Sequence, residues 1–214
     1  MTARATEHRS ELASERGAER EASLPATVAA NQSIRPVIRH QAWWWVAEDG
    51  APPVVPGFVH SEFNPLVAAV ADRCLSEQYG EPPLDDGRRT GLVLVSRGGD
   101  RVSAEHVRQS VAAGRRLGPL FFFQSVPNSI LGYLAGRWGL AGPVACISPA
   151  GSPMSDGVAE AAVLLSDGDA DEVLLVIAEQ GATSTDGVAC AHALLLGRPA
   201  EPAARVQPTE GRTA

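Results

Sequence analysis

Short apolar runs alternate with segments of helical periodicity between residues 34 and 198, and this alternation constrains the fold more than any other feature. The run GLVLVS at residues 91–96 is bounded by Arg and Gly residues, which is typical of a strand covered on both faces. The β-branched and aromatic run at residues 37–46 predicts a first strand, in which Trp43, Trp44 and Trp45 violate simple alternation and indicate an edge or interface. Three further strands are predicted at residues 143–148, 172–178 and 187–196. The pattern as a whole predicts an α/β fold.

Helical periodicity predicts four helices between these strands. The first follows Asn64, the predicted N-cap, and Pro65, the predicted first helical residue. The second is predicted from residue 104 to 117 with Ser103 as its cap, and the others at residues 129–138 and 153–165. The apolar stripe of the first helix consists of Leu66, Val70, Cys74 and Leu75.

The chain of 214 residues has room for one domain, with a segment of different composition on either side. Residues 1–33 combine Glu and Arg with Ala and Ser and hold almost no large apolar side chain, so a disordered tail is expected there. Residues 199–214 are expected to form a second tail. The folded domain is therefore predicted at residues 34–198.

A formal net charge of −7 argues against nucleic acid or an anionic membrane surface as the main partner, because both require a basic footprint. Cys74, Cys146 and Cys190 form no CxxC motif, so neither a disulfide framework nor a zinc site is predicted. The N-terminal segment lacks the apolar core of a signal peptide, and no apolar run approaches the roughly 18 residues that span a bilayer. A cytoplasmic location is expected.

Four motifs follow one another in the second half of the chain. They are Pro127-Asn128, a glycine-containing helix at residues 132–138, the turn GLAGP at residues 139–143, and the GDAD segment at residues 168–171, with Glu179 after it. In this order and spacing they resemble the N-terminal half of the β-ketoacyl synthases, the condensing enzymes of fatty acid and polyketide synthesis. The resemblance implies a thiolase-like fold, with a mixed five-stranded sheet and helices on both faces, and no cofactor.

The resemblance places the nucleophile position on Gly151, where an active ketosynthase carries a cysteine. Condensation requires a thiolate at a helix N-terminus, and glycine has no side chain to supply it. The family also uses two histidines from a C-terminal half, and the chain ends after the fifth predicted strand. We therefore expect no catalysis by this chain on its own.

A ketosynthase-like subunit without the cysteine resembles the chain-length factors of type II polyketide systems, and in particular the truncated subunits of aryl polyene and highly reducing polyene systems. This implies pairing with an active ketosynthase, as a heterodimer or a dimer of heterodimers, and contact with an acyl carrier protein through that complex. The segment 119–131 and the strand 143–148 are expected to face the partner and the acyl tunnel. Phe121 is the first candidate for chain contact, and the others are Phe122, Gln124, Asn128, Leu131, Cys146 and Ser148.

Two other functions remain open at this stage. A thiolase-superfamily acyltransferase or condensing enzyme could use a non-standard nucleophile such as Cys146, Ser148 or Ser152, although Cys146 is expected inside a buried strand with a raised pKa. A carrier-protein-binding assembly factor without a tunnel is the other. Of the histidines, His192 is expected to be a hydrogen-bonded core or interface residue and His106 a surface residue.

Overall fold

The computed structural model describes residues 34–84, 88–181 and 189–199, and the two predicted tails lie outside this range, apart from Pro199. Five strands and six helices occur in these residues. The strands are β1 Val37–Trp45, β2 Thr90–Val95, β3 Val144–Ile147, β4 Glu172–Glu179 and β5 Cys190–Gly197. The helices are α1 Val46–Asp49, α2 Phe63–Tyr79, α3 Arg101–Ala112, α4 Pro119–Ser125, α5 Pro127–Trp138 and α6 Pro153–Ser166.

The strands form one mixed sheet in the order β1-β5-β4-β2-β3. Strand β2 is parallel to both β3 and β4, whereas β5 is antiparallel to both β4 and β1. The predicted mixed five-stranded sheet is confirmed. The beginning of the predicted fifth strand, residues 187–188, lies outside the described residues.

Helices cover both faces of this sheet, as expected. Leu92 and Leu94 of β2 point into a core shared with α2 and α5, and Val93 and Val95 point into a second core shared with α6. Every residue of β2 is buried, which explains the apolar run at residues 91–95. Helix α6 lies very close to the sheet, since a Cβ atom on Gly157 would stand 2.6 Å from Leu175 Cδ1. The small residues of this helix therefore serve close packing.

The capping residues differ from the prediction at two helices. Helix α2 begins at Phe63, and the backbone N–H of Asn64 donates to Ser61 Oγ at 2.8 Å, so Ser61 rather than Asn64 supplies the capping group. Helix α3 begins at Arg101, because Asp100 accepts from the backbone N–H of Ser103 at 3.0 Å and from its hydroxyl at 2.7 Å. A carboxylate that accepts two hydrogen bonds is the stronger cap.

One helix end and two short helices were not predicted correctly. Helix α3 ends at Ala112, five residues before the predicted end, since Gly114 adopts a φ of +66° that a helix does not tolerate. The short helices α1 and α4 were missed, because four and seven residues are too few for a periodic pattern.

The two edge strands of the sheet differ in how their backbone groups are satisfied. At β1 the guanidinium of Arg73 donates to the carbonyl of Trp43, and the N–H of Trp45 donates to Asp49 Oδ2 at 2.7 Å. Arg73 and Asp49 also form an ion pair at 3.0 Å, and Arg73 lies 4.3 Å from the centre of the Trp44 ring. At the opposite edge, β3 pairs only with β2 among the described strands. The edge position predicted for the tryptophans is confirmed.

His192 lies in the sheet beneath Trp43. Its ring is 3% exposed, stacks on the Trp43 ring at 3.6 Å between centroids, and lies 3.2 Å from Gln41 Oε1. Burial lowers the pKa of His192 to about 3, so the ring is neutral at ordinary pH. The prediction of a hydrogen-bonded core histidine is confirmed.

Candidate functional site

The candidate site lies at the carboxyl ends of the parallel strands β2, β3 and β4. Ser96, Ser148 and Glu179 stand at these three carboxyl ends, and the turn 149–152 leads from β3 into α6. Open α/β sheets bind their ligands at these carboxyl ends. The turn 149–152, which we call the elbow, contains the predicted nucleophile position Gly151.

The elbow is held by the carboxylate of Asp156, in the first turn of α6. Asp156 Oδ2 accepts hydrogen bonds from the backbone N–H groups of Ala150 at 2.8 Å and of Gly151 at 3.0 Å. A Cβ atom built on Gly151 would lie 3.6 Å from Asp156 Oδ1, which is ordinary contact, so a side chain would fit here. Sequence reasoning missed Asp156, although an acidic residue in a first turn behind the cap Ser152 is a recognisable signal.

The neighbouring loop after β2 is tied to the elbow and to β4. The guanidinium of Arg97 donates to the carbonyl of Gly151, and Glu179 accepts from the backbone N–H groups of Arg97 at 2.6 Å and Gly98 at 3.3 Å. Gln180 Oε1 accepts from the N–H of Arg101 at 2.6 Å, at the start of α3. These hydrogen bonds connect the loop after β2 with the elbow and with the end of β4, and they connect the start of α3 with Gln180, which follows β4.

Cys146 does not lie in a buried strand, and this part of its prediction is wrong. The residue is exposed and lies on β3, an edge strand that pairs only with β2 among the described strands. Partial burial of the thiol still raises its pKa to about 11. The raised pKa is the opposite of what an activated nucleophile requires. Ser148, two residues further on, is also exposed, and both residues lie on the strand that we expected to face a partner.

Helix α4 turns two different faces to its surroundings. Its inner face carries Phe121 and Gln124, which are 7% and 4% exposed. Its outer face carries Leu120, Phe122 and Phe123, which are 82%, 74% and 56% exposed. Three large apolar side chains on one short helix form an exposed patch, which we call the α4 patch, and such patches mark interaction sites.

Contacts with two other segments fix the inner face of α4. The Phe121 ring packs against His60 and His106, with centroids 5.8 and 4.8 Å away, so His106 is half-buried rather than free on the surface. Asn64 Nδ2 donates to the carbonyl of Gln124 at 3.0 Å, and the N–H of His60 lies 3.4 Å from Gln124 Oε1. Phe121 thus packs within its own chain, and its contact with an acyl chain stays a prediction.

A groove of about 460 Å³ runs beside the α4 patch, between α4, α5 and the loop before α2. Asn128 is exposed in its wall, and Gly132 forms an open part of it, with no atom within 4 Å of a Cβ built there. Leu131 instead lies in the chain's own core with no exposed surface, so contact with a partner would require α5 to move. The groove is lined by Pro56, Phe58, Phe123, Asn128, Ser129, Gly132 and Tyr133.

Two of the motifs that carry the family resemblance, the turn 139–143 and the GDAD segment, lie at the amino ends of β3 and β4, away from the elbow. Gly139 ends α5 with a φ of +72°, and the N–H of Gly142 donates to the carbonyl of Thr90 at 3.1 Å. In the GDAD segment, Asp171 accepts from the backbone and side chain of Arg89 at 3.0 and 3.1 Å, which lowers the pKa of its carboxyl. These motifs build the fold, and the chemistry of the family belongs to the elbow.

The sheet order, the helices on both faces and the elbow at the carboxyl ends of the strands define a thiolase-like chain of the condensing-enzyme type. Residues 66–207 match the family model described as the N-terminal domain of β-ketoacyl synthase. The chain therefore belongs to this family. No curated protein matches it in sequence.

Three solved structures show the same fold at low sequence identity. A ketosynthase in complex with its chain length factor from Xenorhabdus doucetiae matches at a TM-score of 0.57 and 18% identity, over 78% of this chain and 81% of that one. The ishigamide ketosynthase/chain length factor matches at 0.58 and 18%, over 76% of this chain and 62% of the other. A type II polyketide ketosynthase bound to its acyl-carrier protein and a hexaketide matches at 0.55 and 14%, over 77% and 63%.

The described part of the chain has neither a membrane-spanning helix nor a cluster of metal-ligating side chains. No helix within residues 34–84, 88–181 and 189–199 combines the length and apolar character needed to cross a membrane. The same residues contain no group of three or more His, Cys, Asp or Glu side chains that could hold a metal ion.

Proposed function

We propose that this chain is a noncatalytic, chain-length-factor-like subunit that pairs with an active β-ketoacyl synthase and helps to shape the tunnel for the growing chain. The observation that carries the proposal is Gly151, which lies in the turn between β3 and α6, where the family resemblance places the nucleophilic cysteine. The fold of a condensing enzyme is kept, but the group that would receive the acyl chain is missing. Such a subunit contributes surface rather than a reacting atom.

The properties of Cys146 weigh against the alternative of a displaced nucleophile. With a pKa of about 11 its thiolate fraction at pH 7 is about a hundredfold below that of a thiol with the reference value of 9.0. Among the described histidines, His60 and His106 pack against Phe121, His40 lies 3.0 Å from Glu77, and His192 lies beneath Trp43. None of these contacts supplies Cys146 with a general base.

Two features of the surface support the proposal that a partner protein binds this chain. The α4 patch exposes three large apolar side chains, and the outer edge of β3 has no neighbouring strand within the described part of the chain. Apolar patches and unpaired strand edges are both surfaces that proteins cover. They belong to the two segments for which the family resemblance implies contact with the ketosynthase, and the similar structures include ketosynthases with their chain length factors.

Coexpression tests the proposal. This chain, tagged alone, is produced with the ketosynthase encoded nearest to it, and the purified material is weighed by native mass spectrometry and treated with acylated carrier protein. We expect a stable equimolar complex in which every acyl group maps to the partner. A monodisperse lone chain that itself becomes acylated would overturn the proposal and favour a condensing enzyme with a non-standard nucleophile.

Filling the groove beside the α4 patch tests the tunnel role. Gly132→Leu places an isobutyl group where a Cβ meets no atom within 4 Å, so we expect a folded subunit and shorter products from the reconstituted pair. Gly136→Leu is the matched control: it lies one helical turn further along α5, has equally open surroundings and does not line the groove. Product length is measured by mass spectrometry. Unchanged length with Gly132→Leu would favour an assembly factor without a tunnel.

A further inference from the structure

We infer that the carboxylate of Asp156 occupies the elbow and would prevent a nucleophile at position 151 from being activated and acylated. This effect is independent of the missing side chain at Gly151. This inference deepens the proposed noncatalytic function and rests on it. Gly151 removes the nucleophile, and Asp156 removes the environment that a nucleophile would need. The chain therefore has two separate reasons for catalytic silence.

The first argument concerns the backbone donors of the elbow. The N–H groups of Ala150 and Gly151, in the turn that leads into α6, both donate to the same oxygen of Asp156, at 2.8 and 3.0 Å. Backbone N–H groups directed at a reacting centre stabilise the oxyanion that forms in acyl transfer. Here a carboxylate of the same helix already uses them, so a substrate oxyanion would have to displace a covalently tethered competitor.

The second argument concerns charge. A Cβ atom on Gly151 would lie 3.6 Å from Asp156 Oδ1 and 4.0 Å from Oδ2, with no other atom within 4 Å outside the adjacent residues. A thiol attached to that Cβ would share its surroundings with a carboxylate, and like charges at this separation disfavour the thiolate. The guanidinium of Arg97 acts in the opposite direction, but it donates to the Gly151 carbonyl rather than toward the Cβ position.

Introducing a thiol and titrating it tests the inference on the full chain alone. Gly151→Cys is compared with the double variant Gly151→Cys/Asp156→Asn, in which the side-chain carbonyl of asparagine can still accept both backbone hydrogen bonds but carries no charge. Each protein is treated with iodoacetamide across a range of pH, and the alkylated residue is identified by peptide mass spectrometry. We expect the introduced thiol to react at least about tenfold faster at pH 7 after Asp156→Asn, with its apparent pKa lowered by about one unit or more.

The chain contains the controls for this experiment. Cys146, exposed on β3, is an internal reference whose rate should not change, and Cys74, fully buried, reports unfolding if it becomes labelled. Asp167→Asn removes one charge at the far end of α6 and should leave the introduced thiol as slow as before. If Asp156→Asn perturbs the fold, Asp156→Ser repeats the comparison with a smaller neutral acceptor.

Equal alkylation rates of Gly151→Cys and Gly151→Cys/Asp156→Asn would overturn the inference. A thiol in Gly151→Cys that reacts fast although the Asp156 carboxylate is present would also overturn it. Either result would leave the proposed pairing intact, because that is judged by copurification. Conversely, acylation of the natural chain at another residue would refute the noncatalytic proposal without changing the titration. The two failures are therefore distinguishable.

Discussion

Gly142→Ala is expected to destabilise the protein by about 3 kcal/mol or more, because the new methyl group would overlap a central strand. A Cβ atom on Gly142 would lie 2.5 Å from both the amide nitrogen of Gly91 and the carbonyl oxygen of Thr90. Both contacts are backbone atoms of β2, which is hydrogen-bonded to β3 and β4 on its two sides and cannot shift without disturbing them. The clash has no flexible side chain to absorb it.

Urea denaturation of the purified full chain measures this effect. Gly136→Ala is the matched control, since its Cβ meets no atom within 4 Å and alanine is the better helix former, so it should raise stability by up to about 1 kcal/mol. A Gly142→Ala midpoint equal to that of the natural chain would mean that the turn 139–143 does not lie against β2. It would also remove the physical reason for glycine in this family motif.

Phe122→Glu is expected to weaken pairing with the ketosynthase at least about a hundredfold, which corresponds to about 2.7 kcal/mol. Phe122 is 74% exposed at the centre of the α4 patch, so its ring contributes little to the fold of the lone chain. In the proposed complex the ring would be buried, and a carboxylate there would lose its water without gaining a partner. The loss should therefore appear in binding and not in stability.

The dissociation constant of the complex is measured by titrating the tagged chain with its ketosynthase, and the unfolding midpoint of the lone chain is recorded alongside. Val111→Glu is the control, because Val111 is 68% exposed on α3, outside the α4 patch. Wild-type affinity with Phe122→Glu would show that the α4 patch is not the contact surface. A similar loss with Val111→Glu would show that added negative charge, and not the patch, accounts for the effect.

The strands could be predicted from the sequence because the central strands are almost wholly buried and therefore consist mostly of apolar residues. Strand β2 is the clearest example, with six buried residues in succession. Helix ends were harder to predict. Asn64 and Ser103 were predicted as caps, whereas in the fold the capping acceptors are Ser61 and Asp100. Which side chain caps a helix depends on which hydrogen-bond acceptor the fold brings near the first backbone N–H groups.

The location of Gly151 in the turn between β3 and α6 could be predicted because the surrounding motifs have a fixed spacing, but the environment of this turn could not. The contact of Asp156 with two backbone N–H groups depends on the path of the turn, which no periodic pattern encodes. The sequence also could not show that Phe121 lies on the inner face of α4 and Phe122 on its outer face. Three consecutive phenylalanines have the same hydrophobicity, and only the helix and its neighbours decide which of them faces water.

The unequal edges of the sheet set a limit on how this protein can assemble. At Trp43 and Trp45 the outward backbone groups of β1 are already used by Arg73 and Asp49, whereas no strand of the described residues pairs with the outer side of β3. A strand from another chain can therefore be added at β3 but is obstructed at β1. Within the described part of the chain, the sheet therefore offers one lateral edge for a junction with the sheet of another molecule, at β3, and not a second one at β1.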